Sequence, residues 1–226
     1  MASSITSPLS TNKATIVIVQ GSFHTPIAYK ALEEHLRSLG HPTCHPNLPS
    51  CTNIEDPTFP SKYLIDDALA VRLEITRLVE YENNLVLVAM HSYGGLVGSE
   101  AIPEELTYAH RKARGLSGGV IHLYYFSAFI LPVGQSVLGA FGESPNNDIR
   151  TKLSRAAYTY LPSTYLICEN DQAAPPKYQE MFAVTAGARI DRRSAGHSAM
   201  LSQTTLLAEK ISAAAELAVQ EASESM

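Results

Sequence analysis

The sequence predicts a single domain of the α/β class, with a doubly wound, mostly parallel six-stranded sheet and helices on both of its faces. Two observations lead to this prediction. Short apolar runs, which are typical of strands buried on both faces, alternate along the chain with segments of helical periodicity. The length of 226 residues suits one core, because a chain of this size buries roughly 70% of the surface that its unfolded form exposes.

Composition narrows the range of partners. Hydrophobic residues make up 45% of the chain and charged residues 17%, and the net charge of -5 gives no attraction for nucleic acid or anionic membranes, so we expect neither as a partner. The three cysteines, Cys44, Cys51 and Cys168, fit no metal-binding spacing and indicate a reducing, cytoplasmic location. Residues 1–13 are rich in Ser and Thr and predict a disordered tail, which leaves 14–226 for the domain.

The first elements follow from apolar spacing. Residues 14–19 form a continuous β-branched run, which predicts a buried strand. Helical periodicity over residues 26–39 stops at Gly40, a residue typical of a helix C-terminus. We expect a weaker second strand over 41–47 and a long proline-rich surface loop over 48–62.

The middle of the chain repeats the same alternation. Residues 63–81 predict an amphipathic helix with its charges facing water, and 85–91 predict the next buried strand. A further helix starts at Tyr93 and is interrupted at Pro103. The basic run 110–114 is typical of a solvated helix end.

The last part of the chain supplies the remaining strands and helices. Strands are expected over 120–130, 163–168 and 188–192, and helices over 175–186 and 200–218. The predicted sheet therefore has six strands.

A candidate nucleophile lies in residues 85–95, which read LVLVAMHSYGG. An apolar strand climbs to Ser92, and a small-residue turn and a helix follow at once. Such a corner pushes the hydroxyl out of the sheet edge, while the helix aims its first backbone N–H groups at whatever the hydroxyl attacks. The same pattern also fits an ordinary helix N-cap, so the rest of the chain must decide.

Two more strand ends carry groups that suit this nucleophile. Asp171 follows the strand over 163–168, and His197 follows the strand over 188–192. A hydroxyl needs a base that titrates near neutrality, and that base needs an anion to orient it. Because function collects at the carboxyl edge of a parallel sheet, we expect Ser92, Asp171 and His197 to form a catalytic triad.

Four motifs then make a family resemblance specific. VIVQGSFH, VAMHSYGG, YLICENDQAAPP and AGHSAMLSQ occur in this order between residues 14 and 215. They resemble the α/β-hydrolase superfamily, in particular the branch of plant methylesterases, hydroxynitrile lyases and their microbial esterase relatives. The resemblance implies an α/β-hydrolase fold, with an oxyanion hole made by the backbone N–H groups of Ser22 and Tyr93.

Two neighbouring residues compete for these roles. His91 adjoins the nucleophile, but adjacent strand residues point to opposite faces, so we expect a structural role for it. Glu169 falls at the end of its strand whereas Asp171 lies on the loop, so Asp171 is the preferred acid.

The expected substrate contacts are aromatic. Phe23, His24 and Phe129 are the candidate substrate-binding residues, although His24 fits a surface hydrogen-bonding role equally well. An apolar floor of Phe23, Tyr93, Phe129 and Phe141 would lie around the nucleophile, and a homodimer is one way to cover it.

Two residues and one segment depart from the family pattern. Met90 stands where the family usually has a glycine, and Gln20 where relatives commonly have a histidine. Residues 132–162, here called the cap segment, are shorter than the lid of these relatives. We therefore expect a reduced cap and an open site.

The resulting expectation is a serine hydrolase that cleaves a small carboxylic ester or lactone through an acyl-enzyme, without cofactor or metal. One alternative is a hydroxynitrile lyase-like enzyme, whose chemistry by resemblance uses a lid lysine; Lys152 is the only lysine of the cap segment. The other alternative is a binding protein that keeps the fold without catalysis.

Overall fold

The computed structural model describes residues 13–136 and 152–224. Its centre is one sheet of six parallel strands in the order β2-β1-β3-β4-β5-β6, which confirms the predicted fold class. The strands are β1 Thr15–Val19, β2 Thr43–Cys44, β3 Leu85–His91, β4 Gly119–Phe126, β5 Ser163–Cys168 and β6 Arg189–Arg193.

Helices connect these strands in the expected alternation. They are α1 Lys30–Ser38, α2 Leu64–Thr76 with a π-helical extension Arg77–Tyr81, α3 Gly94–Ala101, α4 Tyr108–Ala113, α5 Pro176–Thr185, α6 Ala199–Ser202 and α7 Thr204–Glu224. Short 3-10 turns lie at Pro26–Tyr29, Phe59–Ser61, Glu104–Leu106 and Ala157–Thr159. No helix within the described ranges combines the length and the apolar character that crossing a membrane requires.

Alternating strand residues build a hydrophobic core on each face of the sheet. Val17, Val88 and Met90 point to the face covered by α2, α3 and α5. Ile16 and Leu87 point to the opposite face, which is covered by α1, α6 and α7. Every residue of β1, and every residue of β3 after the first, is buried, which explains why these strands read as continuous apolar runs.

Several element boundaries differ from the sequence expectation. The second strand contains two residues instead of the predicted stretch 41–47, and it lies at the edge of the sheet. Strand β4 ends at Phe126, because Ser127 turns the chain with a φ of 49°. The predicted C-terminal helix is divided at Gln203 into α6 and α7.

The expectation of a solvated basic run over 110–114 is wrong for Arg111. This side chain is buried, and its guanidinium donates hydrogen bonds to the backbone carbonyls of Val79, Ser117 and Gly118 at 2.7–3.3 Å. It therefore ties α4 to the segment that enters β4 and to the end of the α2 extension.

The strand order changes direction between β1 and β3, because β2 lies on one side of β1 and all later strands lie on the other. In open parallel sheets, a crevice forms at the carboxyl ends of the strands at such a switch point. The segment after Val19 and the segment after His91 meet at this crevice.

The described ends of the cap segment lie side by side. The amide of Gly134 donates to the carbonyl of Leu153 at 2.8 Å, and the amide of Leu153 donates to the carbonyl of Gln135 at 3.0 Å. Buried Glu100 of α3 also accepts hydrogen bonds from the backbone and side chain of Ser154. The two described ends of the cap segment are therefore held together, and Ser154 ties them to α3.

Candidate active site

Ser92 lies at a strained corner between β3 and α3. Its φ is 51°, a left-handed conformation that a non-glycine residue rarely adopts, and its side chain is largely buried. The position before α3 is occupied by Tyr93, which makes no side-chain cap hydrogen bond. Since an N-cap residue has an extended backbone, the N-cap interpretation of Ser92 does not fit, and the strain favours a functional role.

Glycines make this corner possible. A Cβ atom on Gly94 would lie 2.3 Å from the carbonyl oxygen of Val19, and one on Gly95 would lie 2.2 Å from that of Phe129. A Cβ atom on Gly21 would lie 3.0 Å from Cβ of Ser92. The small residues therefore let three chain segments meet around the serine.

Met90 fits the corner because α3 makes room for it. A Cβ atom on Gly98 would lie only 2.3 Å from the sulfur of Met90, so the thioether occupies the space that this glycine leaves open. Met90 is fully buried in this position. The bulky residue that replaces the family glycine is thus accommodated by a second glycine one turn into the next helix.

Asp171 is a buried carboxylate with a full set of donors. One oxygen accepts the backbone N–H groups of Ala173 and Ala174 at 2.8 and 2.9 Å, and the other accepts Nδ1 of His197 at 2.9 Å. Burial by itself would raise the pKa of Asp171, but the hydrogen bonds from His197 and Ala174 outweigh it and lower that pKa. Glu169, the alternative acid, is exposed.

Gln179 is a site residue that sequence reasoning missed. It is fully buried on α5, and its amide nitrogen donates to the second Asp171 oxygen at 3.1 Å and to the carbonyl of Ala174 at 2.6 Å. A signal existed, because Gln179 shares the helical spacing of the buried residues Phe182 and Ala183. A polar residue on an apolar helix face needs a partner, and here the partner is the acid.

His197 lies between β6 and α6 with its ring partly exposed. The hydrogen bond from Nδ1 to Asp171 leaves Nε2 as the nitrogen that can exchange a proton with a substrate or nucleophile. The ring centroid of His197 is 4.8 Å from that of His91, the residue before Ser92. The candidate acid and base are therefore paired, next to the end of β3.

The predicted oxyanion donors lie on two structured segments. Residues 20–24, here called the oxyanion loop, turn tightly. Phe23 has a φ of 61°, and the side-chain amide nitrogen of Gln20 donates to the backbone carbonyl of His24. Gln20 thus bridges the loop at the position where relatives carry a histidine. The N–H of Gly21 donates to the Tyr29 hydroxyl at 2.9 Å, and that of Phe23 faces the Cys51 thiol.

Tyr93, the other predicted donor, is held by its side chain. Its hydroxyl donates to Asp67 of α2 at 2.9 Å, and the same carboxylate accepts the backbone N–H and the hydroxyl of Ser50. Burial raises the pKa of Asp67 in spite of these bonds. The corner between β3 and α3 that carries Ser92, here called the elbow, is therefore anchored to α2 and to the proline-rich loop.

The expected apolar floor is only partly exposed. Phe23 is 78% exposed, but Tyr93 is buried and Phe129 is half-buried with its ring edge-to-face against Phe182. Phe141 lies outside the described residues. The backbone N–H of Phe129 donates to the carbonyl of Ser92 at 2.9 Å, so this residue contacts the site through its main chain.

The remaining candidates have other contacts. His24 is half-buried and its Nδ1 lies 2.9 Å from the carbonyl oxygen of Ser22, so its ring braces the oxyanion loop. Lys152, inside the cap segment, is exposed. Within residues 13–136 and 152–224, no three His, Cys, Asp or Glu side chains are grouped so that they could hold a metal ion.

A parallel sheet with a serine at a tight strand-to-helix corner beside its switch point is the arrangement of the α/β-hydrolase fold, and the chain is similar to proteins of this class. It is 27% identical to the alpha/beta hydrolase nvfD of Aspergillus novofumigatus (strain IBT 16806), with 92% of this chain and 99% of that protein covered. It is 25% identical to the probable hydrolase R7 of Phoma sp. (strain ATCC 20986 / MF5453), with 75% and 82% covered. No protein-family model matches the sequence.

Solved structures show the same fold. A pyrethroid hydrolase from Sphingobium faniae JZ-2 superposes with a TM-score of 0.68 at 14% identity, covering 90% of this chain and 97% of that chain. Polyneuridine aldehyde esterase superposes with a TM-score of 0.66 at 16% identity, covering 88% of this chain and 98% of that chain.

The alignment with nvfD runs over 263 positions, more than the 226 residues of this chain, so nvfD contains insertions relative to this chain.

Proposed function

We propose that this protein is a serine hydrolase that cleaves a small carboxylic ester or lactone through an acyl-enzyme intermediate. One observation carries the proposal: Ser92 has a strained φ of 51°, and the ring of His91, the residue before it, lies 4.8 Å from the ring of His197, which is hydrogen-bonded to Asp171. The names of its relatives, which include hydrolases and an esterase, support the same reaction class.

In the proposed mechanism, Oγ of Ser92 attacks the substrate carbonyl while Nε2 of His197 takes the hydroxyl proton. Asp171, whose lowered pKa keeps it ionised at neutral pH, stabilises the imidazolium that forms. His197 then gives the proton to the leaving alcohol, and a water molecule activated by the same base hydrolyses the acyl-enzyme.

The backbone N–H groups of Ser22 and Tyr93 are the proposed donors to the negative oxygen of the tetrahedral intermediate. Ser22 lies on the tight loop after β1, and the family resemblance places one of the two donors on this loop. Loss of one such donor typically lowers kcat by about 10²- to 10³-fold.

The proposal also covers the cellular location and the oligomeric state of the protein. A cytoplasmic location is supported by Cys44, Cys51 and Cys168, all of which are free thiols. A homodimer that covers the site stays a prediction, and exposed Phe23 is the residue of the expected floor that supports it.

The test is covalent labelling with a fluorophosphonate probe, read by intact mass, together with hydrolysis of a p-nitrophenyl ester. We expect one label per chain, and we expect Ser92→Ala to lose both the label and the turnover, because the nucleophile is gone. Ser99→Ala is the matched control, since Ser99 is also buried but lies inside α3. Equal labelling of the Ser92→Ala variant would refute the proposal, and folded wild-type protein with neither label nor turnover would favour a binding protein.

A further inference from the structure

Three hydrogen bonds join the oxyanion loop to residues 194–198, here called the His197 loop. The backbone N–H of Gly21 donates to the hydroxyl oxygen of Tyr29 at 2.9 Å. That hydroxyl lies 2.7 Å from Nδ1 of His91, and Nε2 of His91 lies 2.9 Å from the backbone carbonyl oxygen of His197. Both connecting side chains, Tyr29 and His91, are fully buried.

Chemistry fixes the direction of every bond in this chain. The carbonyl of His197 can only accept, so Nε2 of His91 must carry the proton. The amide of Gly21 can only donate, so the single hydroxyl hydrogen of Tyr29 is directed at Nδ1 of His91. One tautomer of a neutral His91 thus satisfies all three bonds at once.

The surroundings keep His91 in that form. Burial, with a smaller contribution from the neighbouring His197, lowers the pKa of His91 to about 3. Its ring also stacks on Phe126 of β4 with 5.0 Å between ring centroids and 14° between planes. The side chain is therefore neutral at physiological pH and held in one orientation.

We propose that Tyr29 and His91 are positioning residues that set the oxyanion loop and the His197 loop at a fixed spacing on either side of Ser92. The proposal rests on the proposed function for its kinetic consequence. The two loops lie between regular elements, so their relative position depends on the contacts between them. A displacement of about 1 Å in a catalytic group can lower a rate about 10²-fold.

His91 lies closer to His197 than the sequence analysis expects. Its side chain is structural, as predicted, but it lies against His197 and not on a face remote from the site. Nε2 of His91 is occupied by a backbone carbonyl, which also excludes His91 as the base.

The kinetic test uses Tyr29→Phe and His91→Leu, with Tyr124→Phe as the control because Tyr124 is another buried tyrosine of the sheet core. We expect each test variant to lower kcat and the rate of fluorophosphonate labelling by about 10- to 100-fold, with KM nearly unchanged. The double variant should be no slower than His91→Leu, because both residues act through the same chain of bonds. His91→Gln, which keeps an N–H for the His197 carbonyl, should recover part of the loss.

Two results would overturn the proposal. One is a set of variants with lowered Tm but unchanged kcat, which would mean a purely structural role. The other is a double variant whose loss equals the product of the single losses, which would mean that the two residues act independently.

A second measurement does not depend on activity. Nitrogen-15 NMR should show His91 neutral and protonated at Nε2 from pH 5 to 8, and amide hydrogen exchange of residues 194–200 should become faster in Tyr29→Phe. If wild-type protein showed this signature without any turnover, the proposed function would fail while the connection between the loops would stand. A His91 that titrates near pH 6.5, or exchange over 194–200 that ignores Tyr29→Phe, would refute the connection itself.

Discussion

Met90 and Gly98 act as a single packing unit at the elbow. A glycine inside a helix normally costs about 1 kcal/mol relative to alanine, so a Gly→Ala change at such a position usually stabilises a protein. Gly98 is an exception, because an added methyl group would lie 2.3 Å from the sulfur of Met90. The large side chain stands at position 90, where the family usually has a glycine. The glycine stands at position 98, where it leaves room for that side chain.

We therefore predict that Gly98→Ala lowers the free energy of unfolding by about 1–3 kcal/mol, since overpacking a dense core costs this much. Urea unfolding at pH 7 measures it. The double variant Met90→Ala/Gly98→Ala should be more stable than the sum of the single effects implies, because the shorter side chain removes the clash. Additive single effects would show that the two residues do not share one space.

At the level of single residues, the sequence predicts the candidate acid and base and misses the side chains that hold them in place. Asp171 and His197 are recognisable because acid and base chemistry needs those residue types at strand ends, and the structure pairs them. Tyr29 and Gln179 have no such signature, because their roles depend on where α5 and the turn after β1 pack. Such contacts become visible only once the fold brings distant segments together.

At the level of elements, α4 shows how a charge pattern can mislead. Basic residues in the last turn of a helix are favoured by the helix dipole, which is why the run over 110–114 was expected to be solvated. Helix α4 is short, however, and the buried guanidinium of Arg111 donates hydrogen bonds to the backbone carbonyls of Val79 and Ser117. The pattern of charge alone cannot distinguish a cation in water from one that satisfies buried carbonyls.

We predict that Arg111→Met lowers the free energy of unfolding by about 2–4 kcal/mol, because several charge-assisted hydrogen bonds are lost and buried carbonyls remain unpaired. Arg114→Met is the control, since Arg114 is exposed and should change stability by less than about 0.5 kcal/mol. Guanidinium unfolding followed by circular dichroism compares the two. Similar stabilities for both variants would mean that Arg111 contributes no more than a surface charge.

Burial on both faces explains how well three of the strands can be predicted. The predicted bounds of β3 and β5 match the observed ones, and those of β1 differ by one residue, because strands covered on both faces leave continuous apolar runs. Strand β2 was overestimated, because its two residues are half-buried at the sheet edge and pair with only one neighbour. Edge position alone does not decide this, because β6 at the other edge differs from its predicted range by one residue at each end.

At the level of the whole molecule, buried histidines make stability depend on pH. Burial is the main cause that lowers the pKa of His91 to about 3 and that of His122 to about 4. In the unfolded chain both titrate near pH 6.5, so below that pH the unfolded state binds more protons than the folded state. Folding should therefore lose about 1.4 kcal/mol per pH unit for each of these histidines between about pH 6 and 5.

The measurement is urea unfolding at pH 7, 6 and 5. His122→Gln should reduce the loss between pH 6 and 5 by about 1.4 kcal/mol, because one titrating group is removed far from the elbow. Asp67, whose pKa burial raises, acts in the opposite direction, but it does so equally in both proteins. Identical pH slopes for the variant and the parent would mean that His122 is protonated in the folded state.

The paired ends of the cap segment also affect how the domain tolerates change. Gly134 and Leu153 are already held together, so a segment inserted between Ser136 and Lys152 meets a preformed closing point. The entropy of closing a flexible loop grows only with the logarithm of its length, about 0.6 kcal/mol for each doubling. Segments of very different length can therefore be exchanged at this junction at little cost to the sheet.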